Sequence, residues 1–361
     1  MSDEQNKEPD AITISTLDQY QTRVWITGNS SEAADLSAAI VKANAIERRA
    51  SSPMLAVLLS IAAYECVECI VDLLENAARL NPHTGRVVHL NAELRLVPAE
   101  VVMLRHIPYQ AAQLGAYINT EHVHVQSKGP GILLAHLSNF DFAVREARVS
   151  SFTHFATIAA DMLFMKPGYA DYIVNFDGTD EGHCANFGKP DMRPKNAVED
   201  QHLLAQLKRI GRSTAFSVLH NRSDSSGCLS YGMIDGMFWH RDVFSTLRMA
   251  APFSSSTQFA SDAYYPSNLL KPLLNRTCKG IGTARARDLP PPSHTRDFVG
   301  KGSIARWSTY LRHLTYADVS WCLEAPAPDC FVLKGFHGKN DTLRRFVYNR
   351  TRQYIVPESK I

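Results

Sequence analysis

Residues 54–91, MLAVLLSIAAYECVECIVDLLENAARLNPHTGRVVHLN, decide the fold. Positions 55–63 are apolar without helical polarity, as a strand covered on both faces requires. Beyond them Val67, Ile70, Val71 and Leu74 form one stripe and Glu65, Glu68, Asp72 and Glu75 another, which is the pattern of an amphipathic helix. Asn81-Pro82 stops that helix, and residues 86–90 supply a second short apolar strand. Strand, helix and strand over this length make a βαβ unit, the opening of a nucleotide-binding type of α/β fold.

The same alternation continues outward. A strand is expected at 122–126, a turn at Lys128-Gly-Pro-Gly131, a helix over 132–146 and a strand over 153–160. Residues 178–197 form a Gly/Pro-rich loop, long enough to be functional. The block 229–247 carries the aromatic cluster Met237-Phe-Trp-His240 and a helix start at Arg241. On the N-terminal side, a polar tail and an apolar-spaced peripheral helix occupy 1–52. Residues 53–361 then form a single domain, interrupted by a Pro-rich break at 285–302.

Composition narrows the function classes. The 361 residues include 38 Lys+Arg against 36 Asp+Glu, a net charge of +2, with 45% hydrophobic and 20% charged residues, as in an ordinary soluble globular protein. No run of five or more Lys/Arg occurs, so the chain lacks the basic stripe that phosphate contacts with nucleic acid require. The longest apolar stretch, 54–64, falls short of the roughly 18 residues of a membrane span and lies too deep for a signal peptide. Seven scattered cysteines read as buried thiols rather than a disulfide framework, favouring a reducing, cytoplasmic compartment. Five N-x-Ser/Thr sequons, at Asn29, Asn221, Asn275, Asn340 and Asn349, pull toward a secretory route, but such triplets arise often by chance.

Several motifs resolve into packing. Gly129-Pro-Gly131 lacks the third glycine of a dinucleotide fingerprint and reads as a tight turn. Cys66 and Cys69 have redox-like spacing but fall in an amphipathic helix with no second pair to complete a zinc site. His122 and His124 share one strand face and would need metal ligands from afar. There is no Gly-x-Ser-x-Gly elbow and no Asp-x-Asp triplet. A sugar-nucleotide enzyme without the latter must draw its positive charge from Lys or Arg, and Arg306, Arg312, Lys334, Lys339, Arg344 and Arg345 follow the Pro-rich break. Lys334 ends an apolar run before Gly335, at a strand end facing a cleft.

Five segments in order resemble glycosyltransferase family 14, the core-2 and I-branching β-1,6-N-acetylglucosaminyltransferases and protein xylosyltransferases. They are Ala62-Ala-Tyr64 through Val88-His-Leu-Asn91; Val125-Gln-Ser-Lys-Gly129 with Ala135-His-Leu; Phe152-Thr-His-Phe155 to Ala160-Asp161; Gly232 to Phe244; and Ala317-Asp-Val-Ser-Trp321-Cys-Leu with Leu333-Lys334-Gly-Phe336. Together they cover about residues 54–346. The resemblance implies a GT-A-like, Rossmann-type mixed sheet flanked by helices. It also implies an inverting transfer of a GlcNAc- or xylose-like sugar from a UDP-sugar to a hydroxyl of a glycan or other acceptor, with no metal and no further cofactor. On this alignment Asp262 takes the place of the family's catalytic Glu. Lys334 meets the donor diphosphate with Asn91, Arg306 and Arg312, and Asp161 and Trp239 line the acceptor pocket. Asp262 is one methylene shorter than the family's Glu, and Asn91 stands where the family has an acid. The rival expectation is a non-catalytic sugar- or nucleotide-binding relative of the same fold.

Overall fold

A computed structural model describes residues 56–63, 67–90, 107, 111–119, 131–146, 151–179, 183–184, 230–231, 234–254, 270, 273–278, 314–324, 330–336 and 341–354. Strand β1 (Val57–Ala63) is buried at all seven positions and lies inside the sheet, between two parallel neighbours. Its odd positions, Val57, Leu59, Ile61 and Ala63, face one apolar cluster, while Leu58 faces another. Burial on both sides is what an unbroken apolar strand needs. Helix α1 (Val67–Leu80) follows, placing Ile70, Leu73, Leu74, Ala77 and Leu80 in the first cluster. The chain returns as β2 (Thr84–Leu90), parallel to β1. The expected βαβ unit is therefore present.

The turn between α1 and β2 is fixed by a buried guanidinium. Arg86 donates to the carbonyls of Ala77 (3.2 Å), Asn81 (2.9 Å) and Leu114 (2.7 Å). The Ala77 and Asn81 carbonyls also accept from the amides of Asn81 (2.9 Å) and Thr84 (3.2 Å), so the guanidinium adds second hydrogen bonds at the helix end.

Strand β3 (Ala116–Asn119) pairs parallel with β2. It was not anticipated, because four residues are too few to give a period, and the strand expected at 122–126 lies outside the described residues. Helix α2 (Gly131–Arg145) and strand β4 (His154–Ala159) fall within a residue of expectation, and β4 pairs parallel with β1. β5 (Met162–Phe164) and helix α3 (Tyr169–Ile173) come next. The expected loop at 178–197 begins instead with β6 (Gly178–Thr179) and contains β7 (His183–Cys184), which pairs with β8 (Ser230–Tyr231). Two-residue strands carry no periodic signal; the remainder of that loop is outside the described residues, as are 1–52 and 285–302. β9 (Phe238–His240), helix α4 (Arg241–Ser254), β10 (Thr277–Cys278), helix α5 (Tyr316–Glu324), β11 (Val332–Lys334) and helix α6 (Asp341–Thr351) complete the description.

Among the described residues the main sheet has seven strands in the order β10-β6-β9-β4-β1-β2-β3. It is mixed, because β9 runs antiparallel to both β4 and β6. Helix α1 covers one face, and the other is filled by α2 and α4 with the aromatic side chains of Phe140, Phe152, Phe155, Trp239 and Phe244. Phe155 and Phe244 have ring centroids 4.4 Å apart, and Phe140 meets Phe155 edge-on at 5.3 Å. This is a three-layer α/β arrangement with helices on both faces of a mixed sheet.

The cysteine reading needs correction. Cys322 and Cys330 are joined in a disulfide, with Cα atoms 5.4 Å apart, and Cys69 is also disulfide-bonded. Cys278 is a buried free thiol. Spacing alone did not reveal the Cys322–Cys330 bond, since its two residues meet only because α5 packs back against the strand that carries Lys334.

Candidate functional site

The order β3-β2-β1-β4 reverses direction between β1 and β4. In open α/β sheets such a switch leaves a crevice beyond the carboxyl ends of the two strands. β1 and β4 are paired as far as Ala62 and Ala159, and Asp161 follows directly, only 3% exposed. The residue is held by its backbone: its carbonyl accepts from the amides of Gly335 (3.0 Å) and Phe336 (2.9 Å). Those amides follow β11, which pairs antiparallel with β5 so that Lys334 stands opposite Met162. Gly335 adopts φ 119°, a conformation that a side chain would strain, and this lets the chain fold over Asp161 directly after the lysine.

A third charged group arrives on the turn before β9. Thr157 of β4 pins that turn: its amide donates to Met237 O (2.8 Å), its carbonyl accepts from Gly236 N (2.6 Å), and its hydroxyl donates to the carbonyls of Met237 (3.0 Å) and Ile234. Asp235 is thereby brought to Lys334, whose ammonium donates to Asp235 Oδ2 and lies 3.9 Å from Asp161 Oδ1. Both carboxylates are almost wholly buried, and the lysine side chain keeps 17% exposure. The centre is thus one cation between two acids, with its open side at the lysine.

Beneath it runs a buried polar chain. Asn119 Nδ2 donates to Asn139 Oδ1 (3.0 Å), Asn139 Nδ2 donates to Ser60 Oγ (3.0 Å), and Ser60 Oγ meets His136 Nδ1 at 2.8 Å. Either partner of the Ser60–His136 hydrogen bond can be its donor, according to the imidazole tautomer. Burial pushes the His136 pKa down to about 4, with the Asp235 carboxylate opposing and the Lys334 ammonium reinforcing the shift. His136 is therefore neutral at pH 7.

Of the expected site residues, the structure brings together Lys334 and Asp161. Trp239 is instead a core residue. It is 1% exposed, with its ring centroid 5.4 Å from that of Phe244 and its indole against Gly178, so a sugar could stack on it only by opening the core. Asp262, Asn91, Arg306 and Arg312 lie outside the described residues. Arg344 and Arg345 do not join Lys334; they line a separate cavity between α1 and α6. Asp235 escaped the sequence reading because its only local signal is an Asp-Gly turn dipeptide, which marks a bend and not a charge partner. Among the described residues no group of three or more His, Cys, Asp or Glu is arranged to hold a metal ion. No helix among them is long and apolar enough to cross a membrane.

Compared with known proteins, the chain matches no protein-family model and no curated protein.

Proposed function

We propose that the chain is a GT-A-type glycosyltransferase akin to family 14, transferring a sugar from a UDP-sugar to an acceptor hydroxyl. The observation that carries this reading is the Lys334 ammonium held between Asp161 and Asp235 at the β1/β4 switch point. A departing diphosphate needs fixed positive charge, and a sugar ring offers hydroxyls that buried carboxylates accept as hydrogen bonds. Lys334 would serve the β-phosphate, drawing away from Asp235 as donor enters. Asp161 and Asp235 would hold the sugar. Asn91, Arg306 and Arg312 complete the proposed donor site, and Asp262 removes the acceptor proton. The N-acetylglucosaminyl and xylosyl alternatives for the donor come from the family resemblance alone.

The pairing of Lys334 with two carboxylates also supports the second reading, a sugar- or nucleotide-binding relative without turnover, because a diphosphate must compete with an existing partner. One titration separates the two. UDP-sugars should stabilise the wild type to heat, and Lys334→Ala should weaken that binding about tenfold or more, the loss of one charge-assisted contact. Slow UDP release by the wild type, reduced about 10²–10⁴-fold in Asp262→Asn, supports the transferase. Nucleotide binding without release supports the binding relative. Unchanged donor affinity in Lys334→Ala removes the assignment of this centre.

A further inference from the structure

His136 stands beside the charged centre but makes no hydrogen bond to it. Ser60 of β1 and Thr157 of β4 are register partners, so their side chains share one face of the sheet. Ser60 Oγ meets His136 Nδ1 at 2.8 Å, and Thr157 pins the turn that carries Asp235, its hydroxyl donating to the Ile234 carbonyl. The imidazole is thereby set next to the turn that delivers Asp235 to Lys334. Its Nε2 is buried with no hydrogen-bond partner among the described residues, and few buried polar atoms are left so.

Burial holds the ring neutral. Charge acts on it from the Asp235 carboxylate, which favours the protonated form, and from the Lys334 ammonium, which opposes it. His89 of β2, in register with Ala62, lies on the same face of the sheet. A diphosphate changes this balance, because Lys334 then leaves Asp235 for the β-phosphate. The Asp235 carboxylate is 3% exposed, so little water reaches it, and a buried charge that loses its partner is strongly destabilising. An imidazole that gains a proton becomes a donor at both nitrogens, Nδ1 to Ser60 Oγ and Nε2 on the side left unmatched.

We propose that His136 takes a proton from solvent as a donor diphosphate draws Lys334 away, and so becomes the cation that pairs with Asp235. This step rests on the donor reading above, in which Lys334 serves the β-phosphate. The proton returns to solvent when the donor leaves and Lys334 swings back. Donor binding and proton uptake are then linked, each favouring the other by the same factor. His136 is a positioning residue in this scheme: it acts on the donor through Asp235 and touches none of it.

The test is calorimetric titration of the full chain with UDP-N-acetylglucosamine and with UDP-xylose, in separate arms. At pH 5.5, heats measured in buffers of different ionisation enthalpy should show uptake of about half a proton or more by the wild type, because neither donor titrates there itself. Affinity should rise by up to about tenfold per pH unit as pH falls from 6.5 to 5.5. In His136→Gln the uptake should vanish and the affinity should no longer follow pH. Uptake that persists in that variant overturns the proposal and leaves the donor reading standing, since the proton then goes to a carboxylate. Donor binding without proton uptake by the wild type overturns it likewise. Failure of both donors to bind removes the donor reading and the proposal with it. If His136→Gln fails to fold, wild-type protein labelled with ¹³C-histidine decides the question. Its His136 ring signal, assigned by through-bond correlation, should titrate at higher pH with donor than without, and an unmoved midpoint overturns the proposal.

Discussion

His136 sits in an environment far from that of its free side chain. It is fully buried, on a helix face pressed against the middle of β1. The unfolded chain takes up a proton at this histidine near pH 6.5, whereas the folded chain resists until about pH 4. The stability that His136 contributes is therefore present above pH 6.5 and is lost as pH falls from there to about 4. The full linkage is worth about 3 kcal/mol. His154, also lowered by burial, adds to the loss in the same direction. Urea unfolding at pH 7 and pH 4.5 should show the drop in the wild type and a smaller one in His136→Gln, which keeps a partner for Ser60. An equal drop in both proteins would mean that His136 already titrates normally in the fold. At this scale the sequence was legible only in part. Lys334 stood out as a charge terminating an apolar run, but His136 lies in an apolar helix where nothing local marks it as buried beside a distant Asp235.

Elements were legible where length gave a period. β1, α1 and β2 follow from apolar pattern and breakers, because seven- and fourteen-residue elements repeat their face several times. The short edge strands did not, since their existence depends on a partner rather than on their own composition. β6 illustrates this. It is only Gly178–Thr179, yet it joins β9 and β10 in the main sheet. Glycine is required at its first position by close approach: a Cβ there would lie 2.6 Å from Trp239 Cδ1, 2.9 Å from Leu274 Cδ2 and 3.2 Å from the Phe238 carbonyl oxygen. Trp239 is locked among rings and the carbonyl belongs to a paired strand, so neither can withdraw cheaply. Gly178→Ala should cost about 1–3 kcal/mol, the usual penalty for overpacking, measured as a lower urea midpoint with an unchanged slope. A midpoint equal to the wild type would show that this edge of the sheet yields without loss.

Across the whole molecule, the crevice depends on a satellite core that the sheet does not supply. Leu163, Met165, Val319, Leu333, Phe336 and Val347 form a cluster of their own, while the neighbouring residues Met162, Phe164 and Val332 turn into the main core. β5 and β11 are thus the seam along which the C-terminal segment attaches, and Lys334 sits at its end. The sequence implied that this lysine belonged at a cleft. It could not show that a separate core, stapled by Cys322–Cys330, holds it there. The staple closes a sequence separation of eight, which in the chain-entropy account stabilises by about 2–3 kcal/mol. Because the bond ties α5 to the start of β11, its loss should loosen this segment before the central sheet. Replacing both cysteines by serine should raise amide exchange across α5, β11 and Phe336, and leave β1, β2 and β4 protected. Donor affinity should fall along with that protection, since Lys334 and the amides that grip Asp161 lie within the loosened stretch. Uniform loss of protection across sheet and segment would show instead that the two cores unfold as one.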